Sequence, residues 1–118
     1  MSETITLYHN PRCSKSRETL ALLKDKGVEP QVVLYLETPP DAATLKGLLH
    51  KLGFASAREL MRTKEELYKT LNLADASLNE TDLIAAMTEN PKLIERPIVV
   101  AGDKARLGRP PEQVLEIL

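Results

Sequence analysis

The residue of this chain best suited to covalent chemistry is Cys13, its only cysteine. It lies in the polar and basic segment 8–17, where a strand pattern changes to a helix pattern. Polar and apolar residues alternate over 4–8, which is typical of a short strand. Apolar residues then recur at helical spacing from Leu20 onward, and Gly27 stands where such a helix would end. We therefore expect Cys13 at a helix N-terminus, where free amide groups and the helix dipole stabilise a thiolate.

Polar side chains around Cys13 favour the same ionised form. Three basic residues lie within a few positions of it: Arg12, Lys15 and Arg17. Their positive charge lowers the pKa of a neighbouring thiol. The hydroxyl of Ser16 lies within one helical turn and could donate a hydrogen bond to the sulfur, while His9 could do the same or hold the loop. A lone cysteine is more often a small buried hydrophobic residue, but these polar flanks favour a nucleophilic thiolate.

The composition restricts the class of protein. The chain has 118 residues, of which 42% are hydrophobic and 28% charged, so we expect one soluble domain spanning 1–118. No apolar run approaches the roughly 20 residues of a membrane span. Residues 1–4 do not resemble the start of a signal peptide, so we expect a cytoplasmic protein without a membrane partner.

The charge and the few cysteine and histidine residues argue against two further classes. A net charge of -1 and few aromatic residues give no basis for binding nucleic acid. Cys13, His9 and His50 do not have the spacing of metal ligands, so we expect no metal site. One cysteine cannot form an internal disulfide, which agrees with a reducing compartment. Any disulfide of Cys13 must therefore join it to another molecule.

The elements that position Cys13 are predicted to form a mixed α/β sheet. An apolar, β-branched run over 31–36 predicts a second strand, buried on both faces. Strand, helix and strand in about thirty residues form a βαβ unit, whose two strands are parallel with a right-handed crossover. Near the other end, strands at 97–101 and 104–108 flank a Gly-Asp turn and are predicted to pair as a hairpin. A last helix follows Pro110 and Pro111.

Between these halves, helical patterns fill most of 38–91. Thr38 or Asp41 can cap a first helix that ends at Gly53. Shorter helical segments are predicted over 57–61 and 64–71, and a further helix begins after Ser77 or Asn79. Its apolar face carries four residues: Leu83, Ile84, Ala86 and Met87. We interpret this region as a helical insert between the two halves of the sheet.

Three arginines at the edges of predicted elements are candidates for binding an oxyanion: Arg62, Arg96 and Arg109. A guanidinium presents a planar fork of donors that suits a tetrahedral anion. Each of them taken alone is better explained as a solvated surface charge. The residues by themselves therefore do not establish an oxyanion site.

Several ordered blocks together resemble the glutaredoxin-dependent arsenate reductase family over essentially the whole chain. The blocks are His9-Asn10-Pro11-x-Cys13-x-x-Ser16-Arg17, Tyr35-Leu36-Glu37-Thr38-Pro39, Arg58-x-Leu60-x-Arg62, Asn90-Pro91-x-Leu93-Ile94-x-Arg96-Pro97-Ile98-Val99-Val100 and Arg109-Pro110. The resemblance implies a thioredoxin-like mixed sheet of four strands in the order 2-1-3-4. It further implies a core of 1–37 with 92–118 and an insert of 38–91.

The same resemblance implies a chemistry for these residues. Cys13 would be the nucleophile, and the arginines at 62, 96 and 109 would hold the oxyanion and the arsenic adduct. His9 and Ser16 match positions that tune the loop. Arsenate would be reduced to arsenite through a cysteine–arsenic adduct, with glutathione as co-substrate, glutaredoxin as partner and no bound cofactor. Pro97 stands where thioredoxin-like folds place a cis-proline, although a proline that starts an edge strand explains the local pattern equally well.

One block departs from the family pattern. Arsenate-reducing members typically read Cys-Gly-Thr-Ser, whereas this chain reads Cys13-Ser14-Lys15-Ser16, which resembles a neighbouring subgroup. Ser14 removes the backbone freedom of glycine, and Lys15 adds charge beside the nucleophile. Two alternatives stay open: a glutathione-linked thiol oxidoreductase with another substrate, and a protein-binding module similar to the Spx-type regulators of RNA polymerase.

Overall fold

The structure, a computed structural model, describes residues 5–118, so Thr4, which begins the predicted first strand, lies outside the described residues. The chain divides into two compact units. The first comprises the chain up to Thr38 together with Arg96–Leu118, and the second comprises Pro39–Glu95. Cys13 belongs to the first unit.

The described part of the first unit contains one mixed sheet of four strands. The strands are β1 (Ile5–Tyr8), β2 (Gln31–Val33), β3 (Ile98–Ala101) and β4 (Lys104–Leu107), in the order β2-β1-β3-β4. β1 pairs in parallel with β2 and antiparallel with β3, while β3 and β4 form an antiparallel hairpin. Helix α1 (Ser14–Asp25) connects β1 to β2. The predicted strand order, the parallel pairing of the first two strands and the hairpin are all confirmed.

The second strand is shorter and more exposed than predicted. The sequence predicts a strand over 31–36 that is buried on both faces, but β2 ends at Val33 and Val32 is exposed. The reason is its place at the edge of the sheet, where β2 pairs with β1 alone among the described strands. The chain then turns, and the backbone N–H of Thr38 donates to the carbonyl of Leu34 at 2.9 Å.

An apolar cluster fixes α1 against the sheet. Leu7 of β1, Leu23 of α1, Val99 of β3 and Val114 are fully buried and pack together. Val114 belongs to a 3₁₀ helix, Pro111–Ile117, which takes the place of the predicted last helix. Burying a side chain of this size typically stabilises a fold by about 1.5–3 kcal/mol. The cluster therefore determines where the N-terminus of α1 lies.

The hairpin returns the chain to the start of β3. Gly102, in the turn, has a φ of 63°, a conformation that glycine adopts at little cost. After β4, the backbone N–H of Gly108 donates to the carbonyl of Pro97 at 3.0 Å. Gly108 is buried, and a Cβ added there would lie 2.7 Å from Cγ of Pro97 and would also overlap the side chain of Thr19. Residue 109 is thus held beside the first residues of β3.

The second unit is helical, and both ends of its first helix and the start of its last α-helix lie where the sequence predicts them. Within it lie α2 (Ala42–Leu52), α3 (Glu66–Thr70) and α4 (Glu80–Glu89), with 3₁₀ helices at Ala57–Leu60 and Pro91–Leu93. The Asp41 side chain caps α2 by accepting from the backbone N–H of Thr44. Gly53 ends this helix at a φ of 75°, and Asn79 caps α4. α3 is shorter than the predicted segment 64–71. Over residues 5–118, no helix combines the length and the apolar character that crossing a membrane requires.

Candidate active site

Cys13 is the N-cap residue of α1, as predicted. Its backbone is extended, with φ −94° and ψ 124°, and its side chain is half-buried. The backbone N–H of Cys13 donates to the carbonyl of Asn10 at 3.0 Å, and its carbonyl accepts from the N–H of Arg17 at the same distance. The chain thus makes a tight turn from Asn10 to Cys13 before the helix begins. This turn places the sulfur where the first amides of the helix are unpaired.

The surroundings of the sulfur lower the pKa of the Cys13 thiol from its ordinary value. Partial burial by itself raises this pKa, because it disfavours the thiolate. The backbone amides of Ser16 and Lys15 and the positive charges of Arg96 and Arg109 act in the opposite direction and outweigh the effect of burial. The direction of this shift is the predicted one, although two of its causes, Arg96 and Arg109, lie far from Cys13 in the sequence.

A buried hydrogen-bond network supports the loop before α1. Nδ1 of His9 lies 2.6 Å from Oγ of Ser16, and the backbone N–H of Asn10 donates to the same oxygen at 3.0 Å. His9 is 6% exposed and Ser16 is fully buried. The predicted hydrogen bond from the Ser16 hydroxyl to the sulfur is wrong, because this hydroxyl forms hydrogen bonds with His9 and the backbone of Asn10 instead. Ser16 acts on Cys13 through its backbone amide instead.

The imidazole of His9 is a neutral member of this network. Burial lowers the pKa of His9, because the charged form loses its hydration inside the protein. A neutral ring can either accept the Ser16 proton at Nδ1 or donate its own proton from that atom, so the pair forms one hydrogen bond in either tautomer. We conclude that His9 holds the loop as an uncharged hydrogen-bond partner.

Arg96 and Arg109 lie together at the edge of the hairpin. Nε of Arg109 donates to the backbone carbonyl of Arg96 at 2.8 Å. The Arg96–Pro97 bond is cis, at the position where the resemblance places a cis-proline, and the Arg109–Pro110 bond is cis as well. Both guanidinium groups lower the pKa of the Cys13 thiol, so both act on the sulfur electrostatically. Two of the three predicted arginines therefore lie in the first unit and influence the Cys13 thiol.

Arg62 belongs to the second unit. Its backbone N–H donates to the carbonyl of Leu93 at 2.7 Å, next to a bridge between Met61 and Ile94. Its guanidinium forms an ion pair with Glu65 at 3.2 Å. The assignment of Arg62 to the oxyanion site stays a prediction.

Three positions that support the site were not singled out from the sequence. Asn10 closes the turn before Cys13, and its Oδ1 also accepts from the backbone N–H of Arg12 at 3.0 Å. Gly108 and Thr19 allow the close approach of the hairpin to α1. An Asn-Pro pair is a turn signal that could have indicated Asn10. No comparable signal marks Thr19, because its role depends on a contact with a distant residue.

The arrangement is suited to nucleophilic attack on an anion. A stabilised thiolate beside two guanidinium groups can bind a negatively charged substrate and attack it directly. No group of three or more His, Cys, Asp and Glu side chains within 5–118 is placed to hold a metal ion.

Comparisons with known proteins place this arrangement in a family. The model of the ArsC family matches residues 8–117. The uncharacterized protein YfgD of Escherichia coli K12 is 73% identical over 118 residues, which cover 100% of this chain and 99% of that protein. An arsenate reductase of Haemophilus influenzae is 54% identical over 115 residues, or 98% of this chain and 99% of its own. The solved structure of an arsenate reductase from Vibrio cholerae is 60% identical, with a TM-score of 0.98 and 100% of both chains covered. The chain therefore belongs to the ArsC family and has its thioredoxin-like fold.

Proposed function

We propose that this protein reduces arsenate to arsenite, with Cys13 as the nucleophile. The observation that carries the proposal is the lowered pKa of the Cys13 thiol, which sits at the N-terminus of α1 and is influenced by Arg96 and Arg109. A tetrahedral oxyanion is the kind of substrate that such a cationic site favours. The relatives from Haemophilus influenzae and Vibrio cholerae that carry the name arsenate reductase support this choice.

The first step is attack of the Cys13 thiolate on arsenic. The helix N-terminus and the guanidinium groups of Arg96 and Arg109 neutralise the charge of arsenate and orient it. The sulfur forms a bond to arsenic, and one arsenate oxygen leaves as water after taking up protons. Arsenic stays in the +5 state in this adduct. We assign Arg62 as a third ligand of the oxyanion, in accordance with the family resemblance.

The remaining steps need external thiols, because the chain has no second cysteine. We propose that glutathione condenses with the adduct, so that a second sulfur–arsenic bond forms and a second water leaves. A glutaredoxin thiolate then attacks the glutathione sulfur, a mixed disulfide forms between the two thiols, and the electron pair of the broken bond reduces arsenic to +3. Water finally cleaves the Cys13–arsenic bond, which releases arsenite and regenerates the thiol. Such chemistry requires a reducing compartment, so we assign the protein to the cytoplasm.

A coupled assay tests the proposal. The reaction contains arsenate, glutathione, glutaredoxin, glutathione reductase and NADPH, and we expect NADPH consumption that depends on arsenate. Cys13→Ser should reduce the rate to background, because a hydroxyl without a dedicated base is a far weaker nucleophile. Circular dichroism of the same variant serves as the control for folding.

Two results would contradict the proposal. Full activity of Cys13→Ser would exclude the adduct mechanism. Consumption of NADPH with a glutathionylated protein but not with arsenate would instead support a thiol oxidoreductase with another substrate. If neither substrate is turned over and a protein partner is captured, a binding module similar to the Spx-type regulators would be the better description.

A further inference from the structure

A cavity lies beside the loop that leads to Cys13. It has a volume of about 320 Å³ and lies between this loop and the turn that follows β2. Besides His9, its walls are formed by six residues: Asn10, Pro11, Arg12, Leu34, Leu36 and Glu37. All of them belong to the first unit. None of the proposed steps on arsenate uses this space.

The walls of the cavity combine an apolar surface with two opposite charges. Leu34 and Leu36 expose 36% and 38% of their surface and form an apolar part of the cavity wall. Arg12 and Glu37 are both exposed, and neither forms an ion pair with another residue of the described part of the chain. The cavity therefore offers a cation, an anion and an apolar wall to one ligand.

These charges do not suit arsenate itself. The carboxylate of Glu37 repels an oxyanion, and His9 stays uncharged because burial lowers its pKa. The site with an excess of positive charge is the one at Cys13, Arg96 and Arg109. The cavity instead matches a molecule that carries both a carboxylate and an ammonium group.

We propose that this cavity binds the thiol co-substrate, a small peptide thiol with a free α-amino and α-carboxyl group, of which glutathione is the probe. This inference rests on the proposed function. Arg12 would pair with a carboxylate and Glu37 with the ammonium group, while the peptide stem lies against Leu34 and Leu36. Arg12 directly precedes Cys13, and consecutive Cα atoms are about 3.8 Å apart, whereas an extended tripeptide spans roughly 10 Å. The cavity wall is thus adjacent to Cys13 in the chain, and a tripeptide is long enough to extend from this wall toward Cys13.

Binding is tested with S-methylglutathione, which cannot react with Cys13 or with arsenic. Isothermal titration should give a measurable dissociation constant for the unmodified protein. Arg12→Ser and Glu37→Gln should each raise this constant roughly fivefold, the factor that corresponds to one exposed charge pair. Leu34→Trp should block binding by filling the cavity. Lys24→Ser and Glu29→Gln remove exposed charges elsewhere in the first unit and should leave the constant unchanged.

Kinetics separate this inference from the proposed function. In the coupled assay, Arg12→Ser and Glu37→Gln should raise the KM for glutathione by a similar factor. Glu37→Gln, which leaves every residue around Cys13 in place, should not change the KM for arsenate. Normal arsenate reduction with an unaltered KM for glutathione, or no binding of S-methylglutathione at millimolar concentration, would overturn the assignment of the cavity. If S-methylglutathione binds and its binding depends on Arg12 and Glu37 while arsenate is not reduced, the cavity assignment stands and the proposed function fails.

Discussion

The pKa of the Cys13 thiol is lowered by two groups of residues, one close to Cys13 in the sequence and one far from it. The amides of Lys15 and Ser16 are supplied by the start of α1, so any thiol at this N-cap position would receive them. The charges of Arg96 and Arg109 are supplied by the hairpin at the other end of the sequence. Only the first contribution could be predicted from local pattern. The second depends on the fold.

Replacing Arg109 tests the contribution of the fold to this acidity. Arg109→Met removes a positive charge that stabilises the thiolate, so the pKa of the Cys13 thiol should rise and its alkylation by iodoacetamide at neutral pH should slow several-fold. Arg109→Lys keeps the charge, so its alkylation rate should lie between those of Arg109→Met and the unmodified protein. The measurement is the alkylation rate as a function of pH. Arg106→Met is a matched control, because Arg106 is already paired with Glu116 at 3.0 Å. Its alkylation rate should equal that of the unmodified protein.

The hydrogen bond between His9 and Ser16 is a contact that the sequence could not predict from single residues. The spacing of Ser16 from Cys13 correctly indicates that the two residues interact. It does not indicate which group of Ser16 is used, because the hydroxyl can rotate toward several partners. In the structure it lies 2.6 Å from His9, which neither spacing nor charge could specify.

At the scale of elements, the ends of helices were easier to predict than the ends of strands. Asp41, Gly53 and Asn79 are residues with a specific chemical role at a helix terminus, and each one lies at such a terminus. The end of β2 carries no such marker, because Leu34 and Leu36 continue the apolar pattern. Their exposure follows from the edge position of the strand, and this position depends on the pairing of the whole sheet.

The packing of the hairpin against α1 is tested by Gly108→Ala. The added methyl group would overlap Thr19 and lie 2.7 Å from Cγ of Pro97, so the backbone must shift. We expect the free energy of unfolding to fall by about 1–3 kcal/mol. The alkylation rate of Cys13 should also fall, because the neighbouring Arg109 moves. Both are measured on the folded variant, by urea denaturation and by reaction with iodoacetamide.

Gly47→Ala in α2 is the matched control. An added Cβ at Gly47 has no neighbour within 4 Å, and alanine favours a helix over glycine by about 0.5–1 kcal/mol. This variant should therefore be more stable than the unmodified protein and equally reactive at Cys13. If both variants changed stability in the same direction, the close contact at Gly108 would not determine the result.

At the scale of the whole molecule, the stability of the fold should depend on pH through His9. Burial lowers the pKa of His9, so the unfolded chain takes up a proton at a higher pH than the folded protein does. The stabilisation is complete above 6.5, the ordinary pKa of a solvated histidine, and is lost as the pH falls through the lower pKa of the folded protein. The slope is at most about 1.4 kcal/mol per pH unit. Urea denaturation between pH 7.5 and 5.5 measures the change of the unfolding free energy with pH.

Two variants show whether this dependence belongs to His9. His9→Asn should flatten the dependence of the unfolding free energy on pH over this range. His50→Asn, at an exposed position, is the matched control for the loss of a histidine. An equal slope in the His9 variant and in the unmodified protein would contradict the assignment.

Connection lengths could predict the parallel pairing of β1 with β2 and the β3–β4 hairpin. The strand order β2-β1-β3-β4 was implied by the family resemblance instead. The described residues divide near Thr38 and Arg96, at both ends of the helical region. That the two units fold together as a single domain stays a prediction.

The order of the site residues along the chain has a consequence for synthesis. Cys13 leaves the ribosome long before Arg96 and Arg109, whose charges act on its sulfur. The nascent thiol therefore has an acidity closer to that of a free cysteine until the C-terminal hairpin has emerged and paired with β1. The lowering of the thiol pKa by these two arginines therefore begins only late in synthesis, after β3 has paired with β1.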